Sequence, residues 1–204
     1  LFYGVTWEKM GDMGHVQWPC PTLDHPGTPW LYKDNRFDTP SGKGQLFATA
    51  WRAPAERPDD EWPLVLCTVR EVGHYSCRSM TGNCAALQSL ADEPGRVQMN
   101  PADAQRLGIA DKQLVWVSSR RGKVITRADL SDRINPGAVY MTYQWWIGAC
   151  NELTQDNLDP ISKTPETKYC AVQMDAIEDQ RWAEDFAASA YQSMKSRLIS
   201  AVNV

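Results

Sequence analysis

Short apolar runs separated by turn residues predict a strand-rich region between residues 63 and 173. The run Leu64–Thr68, with the sequence LVLCT, is typical of a strand that is buried on both faces. Alternating apolar and polar positions in Leu114–Val117 and Lys123–Leu130 predict a hairpin, and we expect Gly122 in its turn to take a positive φ. Similar short runs predict three more strands: Val97–Met99, Ala138–Thr142 and Tyr169–Met174.

A short helix is predicted after the second of these strands. Asn100 can cap free amide groups, and Pro101 is tolerated at the first helical position. The helix formers of Ala102–Leu107 follow, and Gly108 fits the left-handed exit position. Six short strands with few helices and long crossovers predict a compact barrel, mainly β with some α.

The end of the chain, residues 176–204, has a helical pattern. Ala183, Ala187 and Tyr191 lie beside a stripe of apolar side chains at four-residue steps. The pattern predicts a helix that covers the barrel or a neighbouring domain, and a helix that binds a partner protein is the alternative. The stripe consists of Trp182, Phe186, Ala190, Met194 and Leu198.

Residues 1–61 are rich in glycine and proline and show no sustained periodicity. A segment of this length without regular structure is unusual in a free-standing domain. Tryptophans recur along it, and we expect them to pack against other domains of a larger protein. The predicted division is therefore an irregular segment at 1–61, a barrel at 62–175 and a helix at 176–204.

Composition narrows the functional classes. The chain has 204 residues, of which 43% are hydrophobic and 23% charged, values that are typical of a globular protein. A formal net charge of -4 argues against nucleic-acid binding, and no apolar run is long enough to predict membrane insertion. Six scattered cysteines predict a reducing, cytoplasmic setting, and the start on Leu1 predicts missing upstream sequence.

Polar side chains concentrate in the loop after the first strand. Thr68, Arg70, Glu71, His74, Ser76 and Thr81 all fall in this loop or at its edge. Polar groups on a loop above rigid strands are typical of a ligand site. Arginine suits an anionic ligand because it stays charged and can donate two parallel hydrogen bonds to phosphate. A solvated surface loop is the alternative interpretation.

An aromatic segment follows the strand at 138–142. It begins at Tyr143, runs through Trp145 and Trp146, and leads to Asn151 in the sequence NELT. An aromatic ring and an amide can stack on and hydrogen-bond to a planar heterocycle. A core aromatic cluster is the alternative, above all for the two tryptophans.

Together these segments resemble the C-terminal dinucleotide-binding domain of molybdopterin oxidoreductases, which include formate dehydrogenases, nitrate reductases and dimethyl sulfoxide reductase. The start of the chain and its helical tail resemble in particular the molybdenum and selenium formate dehydrogenases of the formate hydrogenlyase type. The matching stretches are YGVTWEKMG, HVQWPCP, PLVLCTVREVGHYSCRSMTG, VQMNPADAQRLGI, LVWVSSRRGKVITRADLSDRINPGAVYMTYQWW, NELT and PETKY.

The resemblance implies a double-psi β-barrel of the aspartate decarboxylase-like type. It also implies which residues bind the cofactor. The family has Thr-x-Arg followed by His and then Ser or Thr in the first loop, an Asn-x-Leu-Thr motif, and Pro-Glu followed by Lys. The implied cofactor-binding residues are Thr68, Arg70, Glu71, His74, Ser76, Thr81, Tyr143, Asn151 and Lys168.

For the whole enzyme, the resemblance implies oxidation of formate to carbon dioxide. It implies a molybdenum-bis(molybdopterin guanine dinucleotide) cofactor, which this segment would bind and orient. A [4Fe-4S] cluster and a selenocysteine or cysteine ligand are expected in the missing N-terminal part. The expected partners are the remaining domains and an iron–sulfur electron-transfer subunit, and this segment is expected to carry no catalytic residue.

Three alternative interpretations concern the chain as a whole or a possible metal site. The chain could be a separate cofactor-binding subunit of another molybdenum or tungsten enzyme, such as formylmethanofuran dehydrogenase. It could also be a nucleotide-binding barrel without catalytic function. His74, Cys77 and Cys84 could be drawn as a metal site, but their spacing is not C-x2-C and a fourth ligand has no obvious place, so no metal ligand is predicted.

Overall fold

The computed structural model describes residues 1–91 and 93–202, with side chains through residue 197. These residues fall into two compact units, Leu1–Arg52 and Ala53–Val204. The strands of the described chain are β1 (Leu64–Val69), β2 (Arg96–Met99), β3 (Leu114–Ser118), β4 (Lys123–Leu130), β5 (Ala138–Thr142) and β6 (Cys170–Ala176). Its α-helices are α1 (Trp7–Met13), α2 (Ala85–Leu90), α3 (Pro101–Leu107) and α4 (Gln180–Val202), and short 3-10 helices lie at Lys33–Asn35, Thr81–Asn83 and Cys150–Glu152.

The first unit consists mostly of irregular chain, as predicted, with one short helix that the sequence pattern did not predict. Thr6 caps α1 by accepting a hydrogen bond from the amide of Lys9 at 3.2 Å. The Lys9 ammonium then donates to the carbonyls of Leu23 and His25 at 2.8 and 2.5 Å. Contacts between side chains and backbone therefore fix these loops, because no strand ladder is present in this part of the described chain.

In the second unit, the six strands close into a barrel in the order β1-β5-β2-β4-β3-β6. β1 runs parallel to β5 and β2 runs parallel to β4, whereas the four remaining pairs are antiparallel. Alternate side chains point inwards, as Leu64 and Leu66 do in β1, and form one core. This mixed, closed topology confirms the prediction of a double-psi β-barrel.

The hairpin between β3 and β4 is present, but the prediction for its glycine is wrong. Gly122 is not among the residues with positive φ. Its carbonyl accepts the amide hydrogen bond of Ser119 at 2.9 Å. A Cβ at this position would lie 3.2 Å from the carbonyl oxygen of Glu152, so glycine allows a close approach of the 150–153 segment rather than an unusual φ.

Helix α3 begins and ends as its sequence predicts. The Asn100 side chain accepts a hydrogen bond from the amide of Ala102 at 2.8 Å, and Pro101 is the first helical residue. Gly108 terminates the helix in the left-handed region at φ 65°.

Helix α4 packs on the barrel through a different face from the predicted one. Ala183 and Ala187 are buried, whereas Trp182 and Phe186 remain 45% and 40% exposed. Small alanine side chains let the helix backbone approach the barrel closely, and this moves the larger rings to the edge of the contact. The side chain of Leu198, which belongs to the predicted stripe, lies outside the described residues.

Two polar contacts fix the start of α4. The Gln180 amide donates to and accepts from the backbone of Leu114, at 2.9 and 2.8 Å. The Arg127 guanidinium donates to both oxygens of Glu184 at 2.8 and 2.9 Å.

Within residues 1–91 and 93–202, no helix has both the length and the apolar character required to cross a bilayer.

Candidate functional site

Strand pairing brings the predicted site segments to one end of the barrel. β1 and β5 are parallel neighbours with Val69 opposite Thr142, so the loop at 70–84 and the segment at 143–149 leave the barrel side by side. β6 runs antiparallel to β1, so the segment that enters β6 lies at the same end. The sequence motifs are far apart along the chain, and the topology makes them neighbours.

Tyr143 is the centre of this arrangement. The Arg70 guanidinium lies 5.4 Å from the centroid of its ring, and the Lys168 ammonium lies 5.8 Å from it. The Ser76 hydroxyl is 3.3 Å from the phenol oxygen. We call Arg70, Ser76, Tyr143 and Lys168 the Tyr143 cluster; it places two exposed cations on one aromatic ring.

Thr68 supports the cluster from the end of β1. Its buried hydroxyl donates to the carbonyl of Thr167 at 2.7 Å, and its own carbonyl accepts from the Lys168 ammonium at 3.3 Å. Thr68 therefore joins β1 to the segment that carries Lys168. Its polar groups are engaged with the protein itself.

His74 and Thr81 stabilise the loop from within. The buried His74 ring has Nε2 at 2.7 Å from the carbonyl of Ala91 and Nδ1 at 3.0 Å from the Thr81 hydroxyl. Because a carbonyl only accepts, Nε2 donates to Ala91, and in the neutral form of the ring Nδ1 then accepts from the Thr81 hydroxyl. The Thr81 oxygen in turn accepts from the amide of Tyr75 at 3.2 Å.

Of the two remaining predicted cofactor-binding residues, Glu71 contacts the segment after Tyr143, whereas Asn151 lies apart in a 3-10 helix. The Glu71 carboxylate accepts from the Gln144 amide at 3.2 Å, which links the loop to the residue after Tyr143. Asn151 lies in the 3-10 helix Cys150–Glu152, and no hydrogen bond joins its side chain to the other predicted residues in the described chain. Burial raises the pKa of its neighbour Cys150 to about 12, so this thiol stays protonated at neutral pH.

The site also contains two buried charged side chains that the sequence does not distinguish. Arg78 is one of several polar residues in the loop, and neither its positive φ of 64° nor its burial has a sequence signal. Glu93 precedes a proline in a stretch that reads as an ordinary connection. Both contact the segment after Tyr143.

The donor set fits a polar, anionic, partly planar ligand. Arg70 and Lys168 supply two positive charges, Ser76 supplies a hydroxyl, and Tyr143 supplies an aromatic face. Phosphate attracts guanidinium and ammonium groups, and a heterocycle can stack on a ring that is only partly buried, as that of Tyr143 is. Among residues 1–91 and 93–202, no group of three or more histidine, cysteine, aspartate or glutamate side chains could hold a metal ion.

Comparisons with known proteins agree with this chemistry. Formate dehydrogenase H of Escherichia coli (strain K12) is 62% identical over 199 residues, which are 97% of this chain and 28% of that protein. F420-dependent formate dehydrogenase 1 subunit alpha of Methanococcus maripaludis is 39% identical over 178 residues, covering 86% of this chain and 26% of the relative. The chain thus spans about a quarter of the length of these curated relatives.

A solved structure supports the fold independently of close sequence similarity. Acetylene hydratase from Pelobacter acetylenicus superposes with a TM-score of 0.56 at 17% identity, over 70% of this chain and 24% of that one. The family model described as the molydopterin dinucleotide binding domain matches residues 64–171, which are more than half of the chain. This match extends over β1 to β5 and into β6, and it contains all nine predicted cofactor-binding residues. The chain belongs to the molydopterin dinucleotide binding domain family.

Proposed function

We propose that this chain binds and orients a molybdenum-bis(molybdopterin guanine dinucleotide) cofactor as the C-terminal part of a formate dehydrogenase. The observation that carries the proposal is the convergence of Arg70 and Lys168 on the ring of Tyr143, at 5.4 and 5.8 Å. The 62% identity to formate dehydrogenase H supports formate as the substrate and carbon dioxide as the product. When bound, the cofactor supplies the molybdenum and the dithiolene sulfurs of the redox reaction.

The residues of this chain would contribute binding and orientation. Arg70 and Lys168 would neutralise the charge of the dinucleotide, and Tyr143 would offer its ring face to a heterocycle. Glu71, Ser76 and Asn151 would read donor and acceptor groups on the ligand. Thr68, His74 and Thr81 would act mainly by holding the loop in place, because their polar atoms already have partners in the protein.

The rest of the reaction would depend on other parts of the enzyme. A [4Fe-4S] cluster and a selenocysteine or cysteine ligand would lie outside this chain, and electrons would pass to an iron–sulfur partner subunit. The free thiols of all six cysteines are consistent with a reducing compartment, which supports a cytoplasmic location.

The decisive experiment is the intact mass of the source protein, together with its molybdenum, tungsten, selenium and iron content and the guanine nucleotide released by acid. We expect a polypeptide several times longer than 204 residues that carries molybdenum, iron and guanine dinucleotide. A short chain that carries the dinucleotide would indicate a separate cofactor-binding subunit instead. A protein that releases no guanine nucleotide would refute the proposed function.

A further inference from the structure

An ion pair joins Arg78, in the loop at 70–84, to Glu93, in the connection before β2. Their side chains are only 6% and 4% exposed. Arg78 also has a left-handed backbone with φ 64°. Burial of a charge and a left-handed backbone at a residue other than glycine are both unfavourable, so specific contacts must offset them.

The pair makes these contacts with one stretch of chain, residues 144–147. The Arg78 Nε donates to the carbonyl of Gln144 at 2.9 Å, and its guanidinium lies 4.7 Å from the ring centroid of Trp145. The Glu93 carboxylate accepts from the amides of Trp146 and Ile147 at 3.0 and 2.9 Å. The two side chains therefore hold four consecutive residues that directly follow Tyr143.

Arg78 is also the base of a turn in its own loop. Its amide donates to the carbonyl of Tyr75 at 3.0 Å, and its carbonyl accepts from the amide of Gly82 at 2.8 Å. Ser76, which faces the Tyr143 hydroxyl, is two residues away. Fixing Arg78 on the 144–147 stretch thereby fixes the position at which the loop meets Tyr143.

We propose that Arg78 and Glu93 form a positioning pair that orders the loop at 70–84 against the 143–147 segment before the cofactor binds. This inference rests on the proposed function, and it assigns the pair a role through Tyr143 and Ser76 rather than through contact with the cofactor. A loop that is already ordered loses less conformational entropy on binding, so the pair would raise affinity by preorganisation. The contacts at 71 and 74 support this role, because the Glu71 carboxylate accepts from the Gln144 amide and the His74 ring forms a T-shaped contact with the ring of Trp145.

The test uses the purified source protein with Arg78→Lys, Glu93→Gln and both changes together. Arg78→Lys keeps the positive charge but removes the Nε donor to Gln144, and Glu93→Gln keeps the shape but removes the charge. Two quantities are measured: amide hydrogen exchange in protein from cells that cannot make the pterin, and guanine dinucleotide per polypeptide in the loaded protein. Glu184→Gln is the matched control, since it removes the charge of an exposed carboxylate that is also paired with an arginine.

We expect each single change to speed exchange at residues 74–83 by about tenfold or more and to lower the dinucleotide content, while the amides of β1 and β5 keep their protection. The double variant should be no worse than the more affected single variant, because the two residues act as one unit. Glu184→Gln should match the wild type in both measurements. If one single variant fails to fold, the other decides, because each changes a different member of the pair.

Four outcomes would overturn the inference. Wild-type exchange at 74–83 in the variants would show that the pair does not order the loop. Equal loss of protection in the loop and in β1 and β5 would indicate a general contribution to the core. Normal dinucleotide content in both single variants would remove the role of the pair and leave the proposed function intact, whereas a wild-type protein without dinucleotide would remove both.

Discussion

The carboxylate of Glu56 and the guanidinium of Arg121 form a two-point ion pair, with Oε2 2.5 Å from Nη1 and Oε1 2.9 Å from Nη2. The Glu56 Oε1 also accepts from the amide of Ala171 in β6 at 2.6 Å. Its side chain is only 11% exposed. One carboxylate thus joins the chain before β1 to the β3–β4 turn and to β6.

This pair predicts sensitivity to acid. Partial burial alone would raise the pKa of Glu56, but the hydrogen bonds from Arg121 and Ala171 and the nearby positive charges outweigh it, so the pKa lies below 4.5. The ionised carboxylate then stabilises the fold above that pH, and the contribution is lost as the pH falls through the lowered pKa. Glu56→Gln should reduce the free energy of unfolding at pH 7 by roughly 1.5–3 kcal/mol, and the difference from the wild type should shrink as the pH falls below 4.5 and through the lowered pKa.

Chemical denaturation across pH measures this effect, and Glu184→Gln is its control. Glu184 is also paired with an arginine through two hydrogen bonds but is 51% exposed. An exposed pair contributes about 0–1 kcal/mol. If the two variants lose the same free energy of unfolding, the buried pair of Glu56 stabilises the fold no more than an exposed pair does.

Arg70→Ala tests the Tyr143 cluster. The change removes one of the two cations on the ring. The affinity for the guanine dinucleotide should therefore fall by about 10- to 100-fold, the effect of one charged hydrogen bond, and less dinucleotide should remain bound per polypeptide. The unfolding midpoint should hardly change, because Arg70 is exposed. Arg133→Ala is the control, since Arg133 is also exposed and lies in the connection that enters β5 at the opposite end of the barrel. Loss of dinucleotide in both variants would indicate a general charge effect.

The cysteines should divide into two reactivity classes. Burial raises the pKa of Cys150 to about 12 and that of Cys170 to about 11, so both remain thiols at neutral pH. Cys77 and Cys84 are exposed in the loop after β1. Alkylation of the native protein at pH 7.5, followed by peptide mass analysis, should label Cys77 and Cys84 and reach Cys150 and Cys170 only after unfolding. Rapid labelling of Cys150 in the native protein would contradict the burial of this side chain.

Gly148→Ala should destabilise the barrel more than Gly108→Ala. Both glycines have positive φ, 79° and 65°, so each change costs about 1–2 kcal/mol for the left-handed backbone. A Cβ on Gly148 would also lie 2.8 Å from the carbonyl oxygen of Ile125, whereas a Cβ on Gly108 would meet open space. We expect Gly148→Ala to lower the free energy of unfolding by roughly 1–3 kcal/mol more than Gly108→Ala does, measured by chemical denaturation. If the two variants lose the same free energy of unfolding, the segment at 148 moves away from Ile125 without strain.

The sequence by itself determined the local elements of this protein. The apolar runs predicted all six strands, since a strand in a barrel needs inward-facing apolar side chains within a short span. Asn100, Pro101 and Gly108 predicted the start and end of α3, because capping depends on residues next to each other in the chain. The loop at 68–81 and the segment at Tyr143 were also recognisable as ligand-binding candidates from their own composition.

Only the tertiary structure decided which of these elements meet. The parallel pairing of β1 with β5 brings Arg70 to Tyr143, and no local pattern encodes which strands pair. The face of α4 that packs on the barrel is that of Ala183 and Ala187, because the closeness of approach depends on the opposing surface. The same reason applies to Arg78 and Glu93, each of which has the sequence pattern of an ordinary polar loop residue. They form a buried pair because β2 begins at the end of the barrel where β1 and β5 end, so the connection before β2 meets the loops that follow those two strands.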